Sequence, residues 1–204
     1  MMGHPTDPHF RMNKRQFLGA AAAGALPLAG RAQQSSLPAG RGPALLTVTG
    51  AIAHTNRGPF DPVLDQMMHK QGVQFTKAYA FDHAALLQLA PRTIRPTLEY
   101  DAKPHTLRGP LLLDVLARAG AGIGDGTVLV LRAVDGYNVE LSGAQARTRR
   151  VIVATHIDGE PMPLGGLGPL WAVHDADRLP ALAKLPLARR FTACPWALYH
   201  VEVR

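Results

Sequence analysis

Residues 128–171 gather most of the side chains in this chain whose types and spacing bear on chemistry. An apolar strand runs into Asp135-Gly136-Tyr137, and a second strand follows. A hairpin then turns at Asp158-Gly159, and a Gly/Pro loop closes on Gly168-Pro169-Leu170-Trp171. Glycines let main chain approach a neighbour closely, and an Asp at a turn offers an acceptor. The same residues also have plain structural readings. Asp135-Gly136 is a favoured turn pair, Gly165-Gly166 a loop hinge, and Trp171 and Trp196 core residues on apolar strands.

Covalent and metal chemistry find little support. Cys194 is the one cysteine, so there is no intrachain disulfide and no Cys-x-x-Cys pair; it reads as a small buried hydrophobe near the last strand. The nine histidines are scattered without a His-x-His or His-Glu-x-x-His pattern, and His54, His105, His156, His174 and His200 read as surface or satisfied side chains. Ser35, Ser36 and Ser142 lack a nucleophile-elbow context. Met67 and Met68 read as core, with no soft ligand beside them. Arg147, Arg149 and Arg150 cluster, and a solvated surface is their plain reading.

The elements that must position these residues follow from pattern. At 204 residues and 47% hydrophobic, the chain can bury one sizeable core, and 18% charged residues is the level of a folded protein. Four of the basic residues behind the net charge of +7 precede Gln33 against one acid, Asp7, so the remainder is too mildly basic to argue nucleic-acid binding. Residues 1–32 read as an export signal: Lys14-Arg15, a weakly apolar run from Phe17 to Ala29, then Gly30-Arg31-Ala32. Lys14-Arg15-x-Phe17-Leu18 resembles a twin-arginine signal with Lys at the first position, and Sec export is the alternative. Residues 33–42 read as a flexible tether, and 43–204 as one domain. Strands are expected at 45–52, 73–81, 94–100, 127–134, 137–141, 150–157, 160–164 and 196–203. Helices are expected after Asp61-Pro62 (burying Leu64, Met67 and Met68), after Asp82, at 110–119 and at 175–184. This irregular mixture predicts an α+β fold.

Three segments, in order, resemble the sulfite-oxidase-like molybdopterin-binding domain. Thr106-Leu107-Arg108-Gly109-Pro110-Leu111, leading into LLLDVLARAG, is similar to that family's helix entry. Residues 135–171 are similar to its central strands and glycine loop, and 193–203 (ACPWALYHVEV) resemble its closing strand. The resemblance spans most of the mature chain and implies mixed β-sheets with short helices. In the family's catalytic branch, molybdenum is held by the pterin dithiolene plus a cysteine thiolate, a soft anionic sulfur that stabilises a high-valent metal. Counting back from Gly109 places Thr97 at the cysteine's position, and no Cys lies between Pro43 and Ala193. A hydroxyl is a poor substitute, and Cys194 stands at the far end of the chain.

The resemblance therefore implies a pocket for the organic part, pterin or molybdopterin, with molybdenum in doubt. Asp135 would accept from a 2-amino pyrimidine edge, with backbone around Gly136 and Gly168 approaching the ring. Trp171, Trp196 or Tyr137 would stack on it, and Arg95 or Arg108 would meet a phosphate or hydroxyl. Thr97 reads as strand residue or pocket wall. Two functions follow as expectations. The first is a periplasmic pterin-binding sensor without catalysis, acting on a membrane-bound partner such as a cyclic-di-GMP enzyme. The alternative is a molybdopterin-dependent oxidoreductase with a redox partner.

Overall fold

The computed structural model describes residues 42–204. The expected export signal, and all of the tether except Gly42, lie outside the described residues. In chain order the elements are β1 (Leu46–Gly50), α1 (Gln66–Lys70), β2 (Ala78–Phe81), α2 (His83–Leu87), β3 (Pro91–Ile94), β4 (Leu107–Pro110) and α3 (Leu112–Arg118). Then come β5 (Val128–Ala133), β6 (Asn138–Ser142), α4 (Gly143–Thr148), β7 (Ile152–Ala154), β8 (His156–Ile157) and β9 (Glu160–Pro161). The chain finishes with β10 (Trp171–Val173), a 3₁₀ turn at Ala176–Arg178, α5 (Pro180–Ala183), α6 (Leu187–Arg190) and β11 (Leu198–Val203). The fold is α+β, as expected, with mixed sheets and short helices.

The largest sheet has the order β2-β1-β11-β5-β6, with β1 and β11 parallel and the other pairs antiparallel. β1 and β11 are covered on both faces, so the threonines that alternate with Leu46 and Val48 in β1 are buried as well. A second sheet runs β3-β4-β8-β9, and β7 pairs antiparallel with β10. That short pair is a wall between two cores. Val153 and Ala172 face the core of the large sheet, together with Leu112, Val115 and Leu116 of α3. Ile152, Ala154, Trp171 and Val173 face the other way, onto Leu98, Leu107, Phe191 and Cys194. Burying each such Leu, Ile or Val contributes ~1.5–3 kcal/mol. One residue of parity decides which core a side chain joins.

Several sequence expectations shift. The helix after Asp61-Pro62 begins only at Gln66; Val63 and Leu64 are exposed, Met67 is partly so, and Met68 alone is buried. The Asp61 carboxylate accepts the amides of Val63 and Leu64 in a turn, which delays the helix. The strand expected over 73–81 shrinks to β2, and the one over 94–100 moves ahead to β3. The strand expected over 150–157 divides at Thr155, whose amide and hydroxyl both donate to the Arg108 carbonyl. The helix at 175–184 breaks into the 3₁₀ turn and α5, because Pro180 starts a new helix. Trp196 lies before the last strand. Asp82 caps α2 as expected, accepting from the Ala85 amide at 2.7 Å. Helix α4 is additional to the helices expected above; Ser142 and Gln145 start it with a capping box that the sequence displays as Ser-x-x-Gln.

Candidate functional site

The β5–β6 turn builds one wall of a cavity. The Ala133 amide donates to the Tyr137 carbonyl at 2.8 Å, and Gly136, at φ 93°, supplies the left-handed step. The Tyr137 amide donates to Asp135 Oδ1 at 2.9 Å, so the turn itself holds the carboxylate in place. The Tyr137 hydroxyl then donates to the Thr192 carbonyl at 2.6 Å and ties the turn to the segment after α6.

That segment is the second wall. The Cys194 amide donates to the Phe191 carbonyl at 2.8 Å, and the Trp171 indole N–H donates to the Cys194 carbonyl at 2.8 Å. Trp171 packs on Phe191 with ring centroids 6.0 Å apart. Ala197 follows Trp196 at φ 48°, a strained conformation for a residue with a Cβ, and its amide donates to the Leu167 carbonyl. The third side is the stretch after β3. The Thr97 amide donates to Asp177 Oδ2 at 2.7 Å and Leu98 is buried, which leaves Glu99 and Tyr100 facing the space.

Between these walls lies a cavity of about 270 Å³. Its lining combines four aromatic rings (Tyr100, Tyr137, Phe191, Trp196), two acidic residues (Glu99, Asp135) and Cys194, whose side chain is buried. Burial pushes the Cys194 thiol up to about 12 and His174 behind it down to about 4, the Arg149 charge adding to the fall. His174 Nε2 faces the Arg190 carbonyl at 3.2 Å, so that nitrogen carries the proton; Nδ1 then accepts from the thiol, with Sγ 3.3 Å away. The Tyr100 phenol is raised by burial and by the Glu99 carboxylate beside it. A neutral thiol is neither a ready nucleophile nor a soft anionic ligand. What the cavity offers instead is stacking surface and carboxylate acceptors.

Of the residues singled out from sequence, Asp135, Tyr137 and Trp196 meet here, with Gly136 shaping their turn. Trp171 is fully buried behind the wall. A Cβ on Gly168 would run into the Met162 backbone; this packing braces the loop whose Leu167 carbonyl holds Ala197. Thr97 contributes a backbone anchor two residues from Glu99. Arg95 is exposed and lines a different cavity, beside Asp175, Asp177 and Arg178. Arg108 is exposed on β4, where its charge helps lower His156 after burial and His83. Sequence reasoning missed Glu99, Tyr100, Phe191, Thr192 and Cys194 as cavity residues. An acid–tyrosine pair two residues beyond Thr97 was the signal available for the first two. Among the described residues, no group of three or more His, Cys, Asp or Glu side chains is placed to hold a metal ion.

No protein-family model matches the chain, and no curated protein matches it. Among solved structures it is similar to the sulfane dehydrogenase SoxCD from Paracoccus pantotrophus, with a TM-score of 0.49 and 13% identity over 78% of this chain and 37% of that one. The chain thus spans well under half the length of that neighbour.

Proposed function

We propose that the cavity binds a pterin ring and that this chain is an exported, non-catalytic pterin sensor. One observation carries the reading: two carboxylates, Glu99 and Asp135, share a small cavity with four aromatic rings. A 2-amino-4-oxo pyrimidine presents neighbouring N–H donors that a carboxylate accepts, while its flat ring takes up stacking surface. At about 270 Å³ the space falls just under the ~300–1,000 Å³ of drug-sized ligand sites, which suits a single bicyclic ring. Export is supported by the Lys14-Arg15 segment and its apolar run. A membrane-bound signalling partner, such as a cyclic-di-GMP enzyme, is supported by the sequence resemblance alone. The sensor would act by presenting a surface whose affinity changes when the cavity fills.

Molybdenum fits these residues less well than the ring does. Thr97 supplies no sulfur, and the one thiol, Cys194, is held neutral. The oxidoreductase alternative is still favoured by one fact, that Cys194 belongs to the cavity wall. Calorimetric titration with neopterin, together with molybdenum analysis of protein from a cofactor-producing host, separates the two readings. Stoichiometric neopterin binding by metal-free protein supports the sensor. One molybdenum per chain, lost in Cys194→Ser, overturns it.

A further inference from the structure

A second cleft, of about 320 Å³, lies where β3 meets the turn between α4 and β7. Arg92, Arg149, Arg150 and Arg178 all line it. Several other arginines have acid partners, Arg57 with Asp65, Arg132 with Glu202, Arg147 with Asp125 and Arg190 with Asp177, while Arg95, Arg108, Arg118 and Arg189 have none among the described residues. No ion pair among the described residues engages Arg92, Arg149 or Arg150, and Arg178 approaches only Asp175, at 3.7 Å. Four arginines against the single carboxylate of Asp175 leave the cleft net positive, which favours an anion.

Two further observations point to what joins them. Asp175 lines the same cleft; its Oδ2 accepts from the Arg95 amide at 3.4 Å, but its Oδ1 is buried without any hydrogen-bond partner. The second is Arg150, which sits at φ 49° just past the end of α4, where the Val151 amide returns to the Ala146 carbonyl at 3.2 Å. That left-handed position favours glycine, so an arginine there is strained.

We propose that this cleft binds a protonated oxyanion, hydrogen phosphate, with the arginines on its charged oxygens and its hydroxyl donating to the Asp175 carboxylate where it lines the cleft. Thr93, also in the lining, adds a hydroxyl donor. Arginine's fork of N–H groups matches the tetrahedral anion, and the carboxylate selects for the ion that keeps a proton. Sulfate has the same shape and no proton at neutral pH, so Asp175 repels it.

Calorimetric titration of the chain with phosphate and with sulfate, at equal ionic strength and neutral pH, tests the assignment. Phosphate is expected to bind about tenfold tighter than sulfate or better. Arg150→Gly is expected to weaken phosphate binding about tenfold while raising the melting temperature, since glycine relieves the backbone. Asp175→Asn is expected to narrow the preference over sulfate. Equal affinity for the two ions, no binding heat from phosphate, or unchanged phosphate affinity in Arg150→Gly overturns the proposal. Each of these outcomes leaves the pterin reading untouched, because the two cavities share no lining residue.

Discussion

The Sγ of Cys194 lies 3.3 Å from Nδ1 of His174, and both groups are buried. The pair is neutral: burial pushes the thiol up to about 12 and the imidazole down to about 4. A nucleophilic Cys–His pair needs the opposite arrangement, with a lowered thiol and a charged or poised imidazole.

Alkylation measures that state. Iodoacetamide at mildly alkaline pH should modify Cys194 in the folded chain about a hundredfold more slowly than in the urea-unfolded chain, because the thiolate fraction is suppressed and access is closed. Equal rates would show that the fold does not hold the thiol protonated.

Stability should fall with acidification. His200 is held between the Thr49 hydroxyl at 3.0 Å and the Arg132 guanidinium at 3.2 Å, and burial takes it down to about 3. His174 is taken down to about 4. Both start from 6.5, so below that pH the unfolded chain binds more protons than the folded one. The stabilisation from the neutral forms is fully present above pH 6.5 and is lost as pH falls toward 4 and then 3. It is of order 3 kcal/mol for His174, or roughly 10 °C in melting temperature. His200→Gln should flatten the slope. His105 runs the other way. Held by Asp158 and then Asp101, it is raised, and its small exposed contribution fades as pH rises through that value. A melting temperature flat from neutral to acid pH would contradict the histidine account.

Ligand affinity should separate the two groups of sequence candidates. Asp135→Asn should weaken neopterin binding by about 1.5–3 kcal/mol through loss of a charged acceptor. Trp196→Ala should cost about 1–3 kcal/mol by loss of stacking. Arg95→Ala should change nothing, since Arg95 lines another cavity. A large loss in Arg95→Ala, read by calorimetry, would move the binding site.

Gly109 should tolerate no side chain. A Cβ there would enter the backbone of Val153 and Ala154, where β4 packs beside β7. Gly109→Ala should destabilise by more than about 3 kcal/mol, as overpacking against backbone does. A urea midpoint near that of the parent chain would refute the contact.

Ser142 offers a milder test. Its hydroxyl accepts from the Gln145 amide at 3.1 Å, and Gln145 Oε1 accepts from the Ser142 amide at 2.9 Å. Ser142→Ala should cost about 1 kcal/mol by denaturant unfolding. A cost near zero would mean that tertiary packing alone holds α4.

Much of the fold was legible because its signals are local. The three- and four-residue spacing of Leu112, Val115 and Leu116 marks α3; Asp82 caps its helix; Asp135-Gly136 turns where that pair should. The helix expected after Asp61-Pro62 failed for an equally local reason, since the Asp61 carboxylate closed a turn with Val63 and Leu64 before the helix could start. Ser-x-x-Gln before α4 is an equally local signal, a capping box.

Sequence by itself determined the class of fold, the principal turns and the absence of a sulfur where Thr97 stands. Only the tertiary structure decided which candidates share a cavity. Trp171 and Ala172 are neighbours in the chain, yet they face different cores, because strand side chains alternate and β10 is buried on both sides. Arg95 and Glu99 line different cavities because the chain has left its strand after Ile94, and between them the Thr97 amide is anchored on Asp177. Cys194 and Asp135 line one cavity, whose two walls are tied together where the Tyr137 hydroxyl donates to the Thr192 carbonyl. Such contacts depend on long-range register and on which face is buried, and no periodicity within a short window encodes either.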